Sequence, residues 1–98
     1  MGKKGIHNLL YVLECCDGEY KKIGICKDES ILKKRLSSLQ TGNPFKIDVI
    51  HYEYRISAKD AEKYLHQCFS ESRVNGEWFK DISLHDIRVK LMLFHDQD

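Results

Sequence analysis

The sequence predicts an α+β domain in which a small three-stranded sheet, antiparallel or mixed, is flanked by helices in the order ββαβαα. Three observations support this prediction. Asp17-Gly18, a strong hairpin signal, separates two apolar runs. Residues 46–56 are rich in Ile, Val and Tyr, which are typical of strands. Two further stretches, residues 30–41 and about 84–95, repeat their apolar side chains at helical spacing.

The first two strands are predicted at residues 8–16 and 19–26. If the turn between them has two residues, Tyr11 lies opposite Gly24 and Lys22 lies opposite Leu13. Side chains alternate along a strand, so these four positions share one face. Lys22 is then the diagonal neighbour of Tyr11, at roughly 7–8 Å between backbones. Gly24 leaves the space across from the phenol open to a substrate backbone.

The next elements follow from turn and cap signals. Gly42 is well placed to end the helix at residues 30–41. Residues 46–56 are expected to form a central strand, because apolar residues occupy both alternations. A second helix is predicted over residues 58–72.

The remainder of the chain reads as a turn, a short extended segment and a helix. The turn is Asn75-Gly76, and the extended segment is Glu77-Trp78-Phe79, whose aromatic rings are expected to pack in the core. The alternative for these rings is exposure and stacking on nucleic-acid bases. Ser83-x-x-Asp86 resembles a capping box opening the last helix.

Composition sets the class of protein. Ninety-eight residues suffice for a single domain, residues 1–98, with its core at about 8–80 and a C-terminal helix at about 84–95. No apolar run is long enough for a membrane span, and Met1-Gly2-Lys3-Lys4-Gly5 lacks a secretory signal, so we expect a cytoplasmic protein with reduced thiols. The histidines and cysteines lack zinc-ligand spacing.

Charge gives a weaker indication of the partner. The formal net charge is only +1, below the balance of proteins that grip duplex DNA alone. Residues 1–50 nevertheless carry nine lysines and arginines against six acidic residues. This basic lean permits phosphate contact without requiring it.

The hairpin offers a candidate base. A free tyrosine titrates near ~10, and a neighbouring ammonium or guanidinium lowers that pKa, so Tyr11 with Lys22 and Arg35 could activate water. The alternative is that Tyr11 only packs the sheet and Lys22 is solvated.

Arg35 lies beside the leucine stripe of its helix, where it could hold a phosphate or simply cover the core edge. Lys33 and Lys34 are expected to face away.

Glu62 is the candidate metal ligand. Helical projection places its carboxylate on the face expected to be buried, which is costly unless the group is paired or binds a cation. Mg²⁺ takes one or two such carboxylates. An internal salt bridge to Arg35, Arg73 or Lys63 is the competing account. His66, one turn further on, could relay a proton or touch a phosphate, but a structural hydrogen bond is the commoner role for such a histidine.

The ordered set of these segments resembles the GIY-YIG nuclease superfamily, in particular its small phage- and bacterial-type branch with Lys-Ile-Gly as second signature. The segments that carry the resemblance span about residues 8–80: Leu10-Tyr11-Val12, Lys22-Ile23-Gly24-Ile25, Arg35, Leu39-Gln40-Thr41-Gly42-Asn43-Pro44, Glu62-x-x-Leu65-His66-x-x-Phe69 and Gly76-Glu77-Trp78-Phe79. Two departures are Leu9-Leu10 in place of Gly-Ile and Lys22 in place of the second tyrosine.

The resemblance implies a ββαβα core and a Mg²⁺- or Mn²⁺-dependent endonuclease acting on nucleic acid, DNA rather than RNA. Tyr11 would be the general base, Arg35 and Lys22 would stabilise phosphate charge, and Glu62 would bind the metal. With a net charge near zero, a stand-alone domain would either bind its substrate weakly or rely on a homodimer or a partner protein for affinity. The alternatives are a catalytically inactive module that binds nucleic acid or protein, and a small interaction or inhibitor protein.

Overall fold

The computed structural model describes residues 8–94, which form a five-stranded sheet with one helix on one face and two on the other. The chain start, His7, His95 and the predicted end of the last helix lie outside the described residues. In chain order the elements are β1 (Asn8–Cys15), β2 (Tyr20–Cys26), α1 (Glu29–Gln40), β3 (Ile47–Arg55), α2 (Ala58–Cys68), a 3-10 turn (Ser70–Ser72), β4 (Arg73–Asn75), β5 (Trp78–Lys80) and α3 (Leu84–Leu93).

The predicted hairpin register is confirmed. Tyr11 pairs with Gly24 and Leu13 pairs with Lys22 across β1 and β2. The turn closes through the Glu19 N–H, which donates to the carbonyl oxygen of Cys16 at 3.1 Å. Its two central residues have φ of 57° and 86°, the left-handed values of a type I′ turn, which suit the Asp-Gly pair.

The sheet has five strands rather than three, in the order β3-β1-β2-β5-β4, and each of its four pairings is antiparallel. The prediction of three strands was wrong because β4 and β5 have three residues each, too few to show an alternating pattern. They form a small hairpin around Gly76, whose φ is +56°. β5 then pairs with β2 through Lys22 and Trp78.

The predicted central position of β3 is also wrong, because β3 is an edge strand that pairs with β1 alone. Tyr52 and Tyr54 are about half exposed. The sequence of β3 has apolar or aromatic residues on both faces of the strand, but its tyrosine side chains remain partly exposed to solvent. β1 is the strand with near-continuous burial, Leu9 to Leu13.

The three predicted helices are present within the described residues, and two of their ends carry the predicted signals. Asp28 caps the start of α1 through the Ile31 N–H at 3.0 Å, and Gly42, with φ +79°, follows its end. α2 is shorter than predicted and passes into the 3-10 turn. The predicted capping box at Ser83 and Asp86 opens α3. Within residues 8–94, no helix combines the length and apolar character needed to cross a membrane.

Two apolar layers enclose the sheet. α1 covers one face through Leu32, packed on Tyr11 and its β1 neighbours. α2 and α3 cover the other face, through residues such as Leu65 and Ile87. Phe79 is fully buried in the second layer and Trp78 is partly buried in the first, so core packing is confirmed for both rings. The four cysteines are free thiols.

Candidate active site

A cavity of about 390 Å³ opens between α1 and the β1–β2 hairpin, and it brings together three of the predicted site residues, Tyr11, Lys22 and Arg35. The hairpin supplies the first two from one face of the sheet, and α1 supplies the third. Lys34 also lines this cavity, contrary to the prediction that it faces away. A long flexible side chain can reach round the helix from a position that projection places on the outer face.

Arg35 connects α1 to the hairpin. One of its N–H groups donates to the backbone carbonyl of Ile25 at 2.7 Å and lies 3.5 Å from the Tyr11 hydroxyl oxygen. The guanidinium is therefore anchored to β2 beside the phenol. Its planar shape leaves further N–H groups that can donate to a ligand.

Gly24 makes room for the phenol because it has no side chain. A Cβ atom at this position would lie 2.6 Å from the Tyr11 hydroxyl oxygen and 2.9 Å from an Oε1 atom of Glu77. Both oxygens therefore face the small space above Gly24. Gly24 was expected to leave this space open to a substrate backbone, but these two side chains occupy it.

Lys22 contacts Glu77 rather than Tyr11, which corrects the expectation that its ammonium is aimed at the phenol. The Lys22 Nζ donates to Glu77 Oε1 at 2.9 Å and lies 5.8 Å from the centre of the Trp78 ring. The Lys22 side chain is 16% exposed and the Glu77 side chain is 38% exposed. Glu77 thus reaches the same cavity and partly neutralises the ammonium.

Glu62 lies on α2 and lines a neighbouring cavity together with Arg73 and His66. Its carboxyl group is within hydrogen-bonding reach of Glu77. Burial, followed by the charge and hydrogen bond of Glu77, raises the pKa of Glu62 to about 7, although Lys22 and Arg35 act in the lowering direction. The Glu62 Oε2 atom is shielded from solvent and finds no donor among the described residues.

This environment separates the two accounts of Glu62. None of the proposed salt bridges to Arg35, Arg73 or Lys63 satisfies the shielded oxygen within the described part of the chain. A proton shared with Glu77, or a cation between the two carboxyl groups, would satisfy it. Within residues 8–94 there is no group of three or more His, Cys, Asp and Glu side chains arranged for a metal. Two carboxylates nevertheless fit Mg²⁺, which completes its shell with water and phosphate.

His66 has structural contacts in this fold. Its Nε2 atom lies 3.0 Å from the carbonyl oxygen of Ile23, and its ring meets Phe79 edge-on at 5.0 Å between centroids. With Nε2 protonated, the ring donates to that carbonyl. The hydrogen bond supports the structural role that the sequence favoured for His66.

The pKa of Tyr11 moves against the expectation. The side chain is 1% exposed. Burial raises its pKa above the ordinary value, the negative charge of Glu77 acts in the same direction, and Arg35 opposes both without reversing the result. The predicted lowering of the pKa was wrong because it counted the cations near the phenol and left out, first, the burial of Tyr11 and, second, the charge of Glu77.

Comparison with protein families gives one match, to the T5orf172 domain over residues 8–91. The chain belongs to the T5orf172 domain family. This domain is found in phage and bacterial proteins that resemble homing endonucleases, and it associates the chain with nuclease-like and DNA-binding functions. No curated protein and no solved structure matches the chain.

Glu77 is a residue of this site that the sequence did not single out. In the sequence it was part of the Glu77-Trp78-Phe79 segment and of the family resemblance, without a role of its own. The available signal was the turn Asn75-Gly76 directly before it, which could return the chain to the hairpin. Its relation to Lys22 depends on the pairing of β5 with β2, which joins residues more than fifty positions apart.

Proposed function

We propose that the protein is a divalent-metal-dependent endonuclease of the GIY-YIG type that hydrolyses phosphodiester bonds in DNA. The observation that supports this most directly is the convergence of a phenol, a guanidinium and an ammonium on one cavity, with Glu62 adjoining it through Glu77. Membership of a family associated with nuclease-like proteins agrees with this reaction class.

The positive side chains would bind the scissile phosphate. Arg35 is anchored on Ile25 and keeps N–H donors for phosphate oxygens, while Lys34 adds a second positive charge on the same helix. Lys22 would attract the phosphate less strongly, since its ammonium already donates a hydrogen bond to the Glu77 carboxylate. These groups would stabilise the negative charge on the phosphate oxygens in the transition state.

Tyr11 would take the proton from the attacking water. Tyr11 lines the cavity beside Arg35, where a water molecule and the phosphate could meet. Because burial and Glu77 raise its pKa, the phenolate needs additional positive charge nearby. Glu62 would hold Mg²⁺ or Mn²⁺, which would supply that charge and stabilise phosphate oxygens.

The test is a cleavage assay on plasmid, single-stranded DNA and RNA with Mg²⁺, Mn²⁺ or EDTA. We expect metal-dependent cutting of DNA that Glu62→Ala abolishes. Glu71→Ala removes an exposed carboxylate that lines neither cavity and should cut like the wild type. A metal-independent activity, or equal cutting by Glu62→Ala, would exclude this mechanism. The assay should be repeated at several protein concentrations, because we propose that a homodimer or a partner protein supplies part of the DNA affinity.

The raised pKa of Tyr11 favours one alternative, a catalytically inactive module that binds nucleic acid through the same cavity. Lys22, standing where the second signature tyrosine is expected, favours it as well. This alternative predicts salt-sensitive binding that neither metal removal nor Tyr11→Phe changes. Cutting that is lost in Tyr11→Phe would decide for the enzyme.

A further inference from the structure

Glu77 occupies a position that the ion pair with Lys22 does not fully explain. Its backbone is fixed to β2, because the Ile23 N–H donates to the Glu77 carbonyl oxygen at 3.1 Å. Its carboxylate extends over Gly24, where Oε1 would lie 2.9 Å from a Cβ atom. The side chain therefore reaches the same space as the Tyr11 hydroxyl.

Two carboxyl groups meet at this point. Glu77 faces Glu62, whose Oε2 atom is shielded and has no donor within the described residues. A salt bridge that served only to hold Lys22 would not require a second carboxyl group against the first. Like charges at hydrogen-bonding distance are unfavourable unless a proton or a cation lies with them.

We propose that Glu77 is the second carboxylate ligand of the divalent cation, bound together with Glu62. This inference rests on the proposed function, because it concerns the same metal. Mg²⁺ and Mn²⁺ use hard oxygen ligands, and Mg²⁺ commonly binds through one or two carboxylates with water and phosphate in the remaining positions. Glu77 is 38% exposed and lines the Tyr11 cavity, so a cation on it would be open to water and phosphate from that cavity.

The contact between Lys22 and Glu77 predicts the direction in which substitutions change cation affinity. Lys22 bonds Glu77 at Oε1, so its ammonium competes with a cation for the same carboxylate. If Glu77 is a ligand, Lys22→Met strengthens cation binding while Glu77→Gln weakens it. If Glu77 only positions Lys22, it acts on a cation at Glu62 through its charge alone, so Glu77→Gln weakens binding much less than Glu62→Gln does.

The experiment measures cation binding to the full chain without DNA. Tb³⁺ is titrated and its sensitised luminescence recorded, with the partly buried Trp78 and Tyr11 as donors, and bound Tb³⁺ is then displaced with Mn²⁺. We expect Glu77→Gln and Glu62→Gln each to weaken Mn²⁺ binding about tenfold or more. Glu71→Gln, an exposed control, should bind like the wild type. Thermal unfolding of each variant checks that the fold is retained.

The outcomes separate this inference from the proposed function. If Glu62→Gln loses the cation and Glu77→Gln binds it as the wild type does, Glu77 is not a ligand and the metal-dependent mechanism stands. If the wild type binds no cation, both the inference and the metal requirement fail. Binding weakened in Glu77→Gln as much as in Glu62→Gln supports the inference, and a weakening well short of that counts against it.

Discussion

Replacing Gly24 with alanine tests the geometry of the site through stability as well as activity. The new Cβ atom would lie 2.6 Å from the Tyr11 hydroxyl oxygen, 2.8 Å from Tyr11 Cζ and 2.9 Å from Glu77 Oε1. Non-bonded carbon atoms prefer a separation of about 3.5–4.0 Å, so the Tyr11 ring or the strand must move by ~1 Å. Tyr11 is buried against α1 and cannot swing away freely.

The magnitude follows from two opposing terms. Overpacking of this kind costs about 1–3 kcal/mol. Alanine in place of glycine lowers the conformational entropy of the unfolded chain, which stabilises the fold by about 0.4–1 kcal/mol. The net destabilisation should therefore be about 1–2 kcal/mol, which lowers the melting temperature of a domain this size by roughly 4–16 °C. Displacing a reacting group by ~1 Å can reduce the rate about 10²-fold, so cleavage should also fall.

Thermal and urea unfolding of Gly24→Ala measure the first effect, and DNA cleavage measures the second. The double variant Tyr11→Phe/Gly24→Ala removes the closest contact and should recover part of the lost stability, giving a non-additive cycle. If Gly24→Ala unfolds at the wild-type temperature and cuts at the wild-type rate, the close approach of Tyr11 to β2 is refuted.

Three further variants test the surrounding charges and the core. Glu62→Gln should stabilise the protein in EDTA at pH 8 by roughly 1 kcal/mol after allowance for solvent screening, because a pKa of about 7 disfavours the ionised group in the fold. The wild type should lose stability as pH rises from about 4.3 to about 7, and Glu62→Gln should not show this loss. A urea midpoint equal to that of the wild type would contradict this. Burial alone would raise the pKa of Glu53, but Arg55 and His51 hold it below its ordinary value, so wild-type melting temperature should fall as pH drops below about 4.3, and Glu53→Gln should flatten that fall. Phe79→Ala should lose about 3–5 kcal/mol in urea unfolding, and a loss under ~1 kcal/mol would deny its place in the core.

The sequence predicted the features that depend on neighbouring residues. Asp17-Gly18 defines a turn of known geometry, so the pairing of Tyr11 with Gly24 follows from counting outward along the two strands. The cap at Ser83 is equally local. β4 and β5 could not be predicted in this way, because strands of three residues have too little pattern of their own.

The errors at the site have this origin in part. Glu77 reaches Lys22 only after β5 pairs with β2, and the raised pKa of Tyr11 depends in part on that carboxylate. The burial of Glu62 could be predicted from its helix face, but its carboxyl neighbour could not. Long-range pairing therefore explains why Glu77 was missed, while the direction of the Tyr11 pKa was missed first because of the burial of the phenol and only then because of Glu77.

The tight turn between β1 and β2 makes loop length a determinant of the site. Adding or removing one residue between Cys16 and Glu19 would shift the pairing by one position, and half of the hairpin would turn its side chains to the opposite layer. Tyr11 would then no longer face Gly24. A surface turn that contacts no substrate is thus as intolerant of insertions as the reacting groups are of substitution, and length variation in related chains should concentrate in other loops.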